Sequence, residues 1–137
     1  MNRREALFAT GALIAAGAAA AAAAEDHSHH HHAGAHPWQA VLDTAGICIE
    51  KGEICLTHCI MLLGEGDKTM AACATSVREM LASCRALITL AGAESKFAPK
   101  LAALCVDVCK NCEAECKKHA TKHTPCKECM DSCAECA

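Results

Sequence analysis

Aromatic side chains are nearly missing from this chain of 137 residues: Phe8, Trp38 and Phe97 are present, and tyrosine is not. A core cannot then rest on stacked rings and has to be assembled from Ala, Leu, Ile, Val, Met and Cys. Strand-like alternation is missing too, and so are runs of β-branched residues, so the Ala-rich, Gly-poor segments favour helix. The chain has no basic stripe and its formal net charge is −3, which argues against a nucleic-acid partner. It has no Gly-rich phosphate loop and no Ser-His-Asp set. At this length a single domain is expected.

What the chain has in excess is cysteine. Thirteen in 137 residues lies in the range of disulfide scaffolds and metal proteins. The densest stretch runs Cys105, Cys109, Cys112, Cys116 and, past Pro125, Cys126, Cys129, Cys133, Cys136. Steps of three and four put residues on one face of a helix, so each half is a helix whose buried stripe is made of thiols. Lys110, Glu113, Glu115, Lys117, Lys118, Lys127, Glu128, Asp131 and Glu135 fall between them and belong to the solvent side.

Residues 1–24 have the pattern of an address. Arg3-Arg4 precedes a run of small apolar residues ending at Ala24, as in a twin-arginine export signal. Gly11 and Gly17 interrupt that run, which favours a cleaved leader over a membrane anchor and predicts no stable membrane association afterwards. Cleavage would leave the chain one unit more negative and place it in the periplasm. Residues 25–37 hold six of the nine histidines (His27, His29, His30, His31, His32, His36) without apolar periodicity. They are expected to form a disordered tail, either a loose metal-gathering segment of the native chain or, alternatively, an expression tag or an unselective linker.

Residues 38–137 divide into four helical patterns. Val41, Cys48, Cys55 and Leu62 recur every seven residues over Trp38 to Leu63, with Ala45 and Cys59 beside them. Gly64-Glu65-Gly66 ends that helix, and Asp67 is suited to cap the next. From Lys68 to about Ala91 the stripe is Met70, Cys73, Val77, Met80, Cys84, Leu87 and Ala91. Pro99 fits the first turn of a third helix, which carries Leu101, Cys105, Val108, Cys109, Cys112 and Cys116 inward and ends near His119. Thr124-Pro125 reads as an N-cap with proline at the first helical position of the fourth. Short connections force neighbouring helices antiparallel, so the expected fold is an all-α, up-down-up-down four-helix bundle with a cysteine-lined core.

That topology predicts where the thiols meet. His58, Cys59, Met70, Cys73, Cys116, His119, His123 and Cys126 gather at one mouth. Cys48, Cys84, Cys105, Cys133 and Cys136 gather in the opposite half, with Cys55, Cys109, Cys112 and Cys129 between. Met61, Met80 and Met130 are expected as core filler. Leu42, Ile49, Leu56 and Leu63 form a second apolar row that either completes the core or faces a partner subunit.

Four explanations compete for such a column. Free cysteine packs as a small hydrophobe, but that explains one or two, not thirteen in helical phase. Disulfides leave an odd thiol over, and successive positions on one helix are poorly placed for bridging. Structural zinc and iron–sulfur clusters need knuckles or loops around one site. Copper(I) is a soft d¹⁰ ion that selects sulfur, and two or three thiolates suffice. Pairs at i, i+4 such as Cys55/Cys59, Cys105/Cys109, Cys112/Cys116 and Cys129/Cys133 could each hold one. Catalysis is not expected, because thiols that face one another lack the electropositive, exposed setting of a reactive cysteine.

The full set Cys48-x₆-Cys55-x₃-Cys59, Cys73-x₁₀-Cys84, Cys105-x₃-Cys109-x₂-Cys112-x₃-Cys116 and Cys126-x₂-Cys129-x₃-Cys133-x₂-Cys136 resembles that of the bacterial copper storage proteins. The resemblance implies storage of multiple copper(I) ions per chain, a His/Met-bearing mouth at which His58 and Met70 match the family's ligands, and a homotetramer. His119 and His123 are weighed evenly between further mouth ligands and solvated turn residues. The alternatives are a periplasmic copper chaperone that passes one or two ions to an accepting enzyme, and a thiol-rich zinc or redox buffer.

Overall fold

A computed structural model describes residues 36–137. The expected twin-arginine leader, and all but the last two residues of the expected histidine tail, lie outside the described residues. His36 and Pro37 form the approach to the first helix, where the His36 carbonyl accepts from Gln39 N at 2.9 Å.

Four helices follow: α1 (Gln39–Gly64), α2 (Ala71–Gly92), α3 (Ala98–Lys117) and α4 (Thr124–Cys136). α1 packs on α2 and α4, and α3 packs on the same two, while the backbones of the diagonal pairs stay apart. The axis between the diagonals is therefore filled by side chains alone. Sulfur contacts show the direction of each neighbour. Cys55 meets Cys126 and Cys48 meets Cys133, so seven residues back along α1 correspond to seven forward along α4. Cys73 meets Cys116 and Cys84 meets Cys109, which makes α2 and α3 antiparallel as well. This is the expected four-helix bundle.

The turns follow the local chemistry. Gly66, at φ 97°, supplies the left-handed residue after α1, a conformation that costs glycine little. Asp67 accepts from Thr69 N at 3.0 Å and caps a short 3₁₀ turn, Lys68–Met70, that precedes α2. The second turn takes its left-handed residue from Glu94, at φ 48°, rather than from Gly92. α4 begins differently from expectation. His123, not Thr124, occupies the position before the first helical residue, and no side chain caps it. The His123 ring is engaged with His58 instead.

α4 has 13 residues against 26 in α1, which at 1.5 Å per residue makes it roughly half as long. Where α4 stops, the core changes composition. Leu87, Ala91, Ala98 and Cys105 form a separate apolar cluster, joined by Trp38, Val41, Leu42, Leu90, Leu101 and Ala102. Three helices close this end with hydrocarbon. The row Ile49, Leu56 and Leu63 packs against the main core and Leu42 against the end cluster, so it completes the interior. A different set on α1 stays exposed: Ile47, Ile54, Ile60 and Met61. Met61, expected inside, is half exposed, whereas Met80 is fully buried.

Candidate metal centre

All thirteen cysteines are free thiols; twelve are buried and Cys136 is half-buried. The helices bring them into four groups whose sulfurs lie within 4.8 Å of one another: Cys55/Cys59/Cys73/Cys126, Cys55/Cys116/Cys129, Cys112/Cys129/Cys133 and Cys48/Cys84/Cys109/Cys136. Cys55 belongs to the first two and Cys129 to the second and third. Cys133 and Cys48 join the third to the fourth at 3.7 Å. The result is one continuous column of sulfur from the His58 end to the apolar plug.

The closest approaches all cross between helices. Cys73–Cys116 is 3.6 Å, Cys59–Cys73 and Cys48–Cys133 are 3.7 Å, Cys55–Cys126 is 3.8 Å, and Cys84–Cys109 and Cys112–Cys129 are 3.9 Å. Sequence spacing points instead to pairs on one helix. Of those, Cys55/Cys59 and Cys129/Cys133 share a group, while Cys105/Cys109 and Cys112/Cys116 do not. Residues at i, i+4 have Cβ atoms about 5–6 Å apart, and thiols converging on a common axis from facing helices come closer than that. The same geometry corrects the argument against disulfides, since the nearest thiols do join one helix to the next.

Cys105 is buried but stands outside every group, in the hydrocarbon cluster beyond the end of α4. Burial, the leading influence, pushes its thiol above the usual cysteine value. Met70 is fully buried against the cysteines where α1 gives way to α2. His58 is half-buried, with Nε2 3.0 Å from Nδ1 of His123. The ring of His119 follows at 6.4 Å from that of His123. The structure thus brings all three histidines of the described bundle to one end.

Two features escape a reading of the sequence alone. Met80 fills the core as expected, and its thioether Sδ also lies 3.3 Å from Cys48 Sγ. Gly52 is buried on α1, and a Cβ there would come within 2.5 Å of Met80 Cε and 2.9 Å of Leu81 Cδ2. Its missing side chain lets α2 approach. A glycine amid helix formers, phased with the Cys48/Cys55 stripe, is the available signal.

Packed thiols cannot ionise independently. Hydrogen bonding from Cys109 first, and then from Cys133, holds Cys48 far below its ordinary value. Cys109 is pulled down to about 4, chiefly by Cys133. Cys116 leads in lowering Cys73, and Cys112 in lowering Cys129. The donors move the other way: Cys55 is raised, chiefly through Cys116, and Cys84 through Cys109. Every group therefore contains at least one cysteine shifted toward thiolate beside one shifted toward thiol. Thiolate is the form that binds soft metals.

The copper storage protein family profile matches residues 34–137. The chain belongs to this family. The chain is also similar to an uncharacterized cysteine-rich protein, YhjQ, of Bacillus subtilis strain 168, at 28% identity over 99 residues, or 72% of this chain and 88% of that protein. The family is one of copper storage proteins, and the buried cysteine groups are the residues of this chain placed to hold metal ions. Among the described residues, no helix is long and apolar enough to cross a membrane.

Proposed function

We propose that the protein stores several copper(I) ions per chain along the sulfur column. The continuity of the four groups, linked by Cys55, Cys129 and the Cys48–Cys133 contact, carries this reading. Copper(I) accepts two or three sulfurs and tolerates thiolates shared between neighbouring ions. Each ion replaces thiol protons, so the buried charge stays small as the column fills. In this reading twelve cysteines are ligands, Met80 assists Cys48, and His58 with Met70 attends the mouth. Cys105 serves packing.

Storage fits better than a chaperone because buried, interlocked ligands slow exchange, whereas delivery to an accepting enzyme needs an ion at an exposed site. One observation favours zinc: two of the groups contain four thiols, the number a tetrahedral structural site requires. The two linking groups contain three, which zinc would leave incomplete and copper(I) would not. Export by the twin-arginine signal to the periplasm, and a homotetramer that buries Ile47, Ile54, Ile60 and Met61, belong to the same proposal. X-ray absorption of the copper-loaded chain tests the coordination. Shells of two to three sulfurs with copper–copper scattering are expected; isolated copper in four-sulfur or nitrogen–oxygen shells would contradict shared-thiolate storage.

A further inference from the structure

The two ends of the ligand set differ in kind. Inside the column every donor is sulfur. At the end where α1 closes, imidazole and carboxylate groups join the Met70 thioether. His58 Nε2 and His123 Nδ1 stand 3.0 Å apart, both half-buried. His119 lies beside His123, and the Asp67 carboxylate, anchored by Thr69, lies within electrostatic reach of His119 and His123. Nitrogen and oxygen donors suit copper(II); thiolate selects copper(I). The chain carries these two donor sets side by side, since His58 precedes Cys59 on α1 and His123 lies three residues before Cys126.

A cupric ion held at the imidazoles is next to a source of electrons. Cys59 on α1 and Cys73 on α2 belong to the group nearest this end, with sulfurs 3.7 Å apart. Forming a bond between them requires an approach of roughly 1.7 Å. Cys55 and Cys126, 3.8 Å apart in the same group, remain as a two-sulfur receiver.

We propose that the protein takes up copper(II) as well as copper(I), that the His58/His123 pair receives the cupric ion, and that the Cys59/Cys73 thiols reduce it. The step balances with copper(II) as oxidant. Two copper(II) ions each gain one electron, the two thiols lose two electrons and two protons, and one sulfur–sulfur bond forms. The two copper(I) ions pass to the remaining thiolates, and the protons pass to solvent. Each ion consumes one sulfur as electron donor and needs another as ligand. Without an outside reductant, uptake from copper(II) then stops at no more than half the copper(I) capacity. The inference rests on the storage reading, because the reduced ions need the column to hold them.

The test uses the full chain, fully reduced, anaerobic and free of added reductant, mixed with copper(II) glycinate. The paramagnetic copper(II) signal should disappear as copper(I)–thiolate absorption rises, with one thiol lost per copper. Mass mapping should find Cys59–Cys73 as the first disulfide. His58→Gln with His123→Gln should slow loss of the signal at least tenfold, with helical circular dichroism checked to exclude misfolding. In a Cys59→Ser chain the first disulfide should move elsewhere. A copper(II) signal that persists with every thiol intact, while copper(I) loads fully in parallel, overturns the inference and leaves storage standing. Equal rates in the double-histidine variant would overturn the imidazole landing site. A copper(I) titration that ends at one or two equivalents would instead bring down the storage reading itself.

Discussion

Replacing Gly52 by alanine tests the closest approach between α1 and α2. Two terms oppose each other. Alanine in a helix interior is favoured over glycine by about 1 kcal/mol. Against that, the added Cβ would lie 2.5 Å from Met80 Cε, 2.9 Å from Leu81 Cδ2 and 3.3 Å from Leu81 Cγ. Met80 Cε is the free end of a flexible chain, but its neighbour Sδ is held 3.3 Å from Cys48 Sγ, so swinging it away disturbs that contact. Leu81 Cγ is one bond from its own Cβ and yields only if a torsion or the helix shifts. Overpacking of this kind costs about 1–3 kcal/mol, leaving a net loss of about 1 kcal/mol. For a bundle of this size the Tm should fall by roughly 4–8 °C. A Cβ added at Gly46 on the same helix would meet nothing within 4 Å, so Gly46→Ala should gain the propensity term alone and raise the Tm. Thermal unfolding of the reduced, metal-free chains by circular dichroism gives both values. An equal rise in the two variants would refute the close approach.

Other expectations follow from the same geometry. Cys105→Ala should leave copper capacity within one ion of the parent, whereas Cys55→Ala or Cys129→Ala, each removing a sulfur shared by two groups, should lower it by more than one; equilibrium loading of the three variants decides. Loading with copper(I) should release protons, because Cys55, Cys84 and Cys133 hold theirs well above the ordinary thiol range in the metal-free chain. Titration in weak buffer should show net acid release, and none would mean the column is already ionised. Helical circular dichroism should survive removal of copper by a chelator, since metal-free cysteines pack as small hydrophobes; collapse of the signal would show that metal drives folding.

The helices and their inward faces are readable in the sequence because three–four spacing is a local property. Met70, Cys73, Val77, Met80, Cys84, Leu87 and Ala91 are expected to share one face, and all are buried. The register between helices is not readable, since it depends on packing that no single stripe contains. The pairing of Cys73 with Cys116, rather than with a neighbour on its own helix, is of that kind. The place of Cys105 depends on where α4 runs out, which is a matter of relative helix length. Met80 lies on the three–four stripe of α2 and is buried where Gly52 leaves it room, whereas Met61 falls off the stripe of α1 and is half exposed. Nor is the start of α4 readable: His123, whose ring meets His58 65 residues away in sequence, takes the position before the first helical residue in place of Thr124.

The most direct test of copper storage is an anaerobic copper(I) titration of the reduced chain against a competing chelator. Twelve cysteines in linked groups predict uptake that continues to on the order of ten equivalents per chain, near one ion per thiol as soft-ligand coordination allows. A sharp end at one or two equivalents would contradict the account and point to a carrier instead.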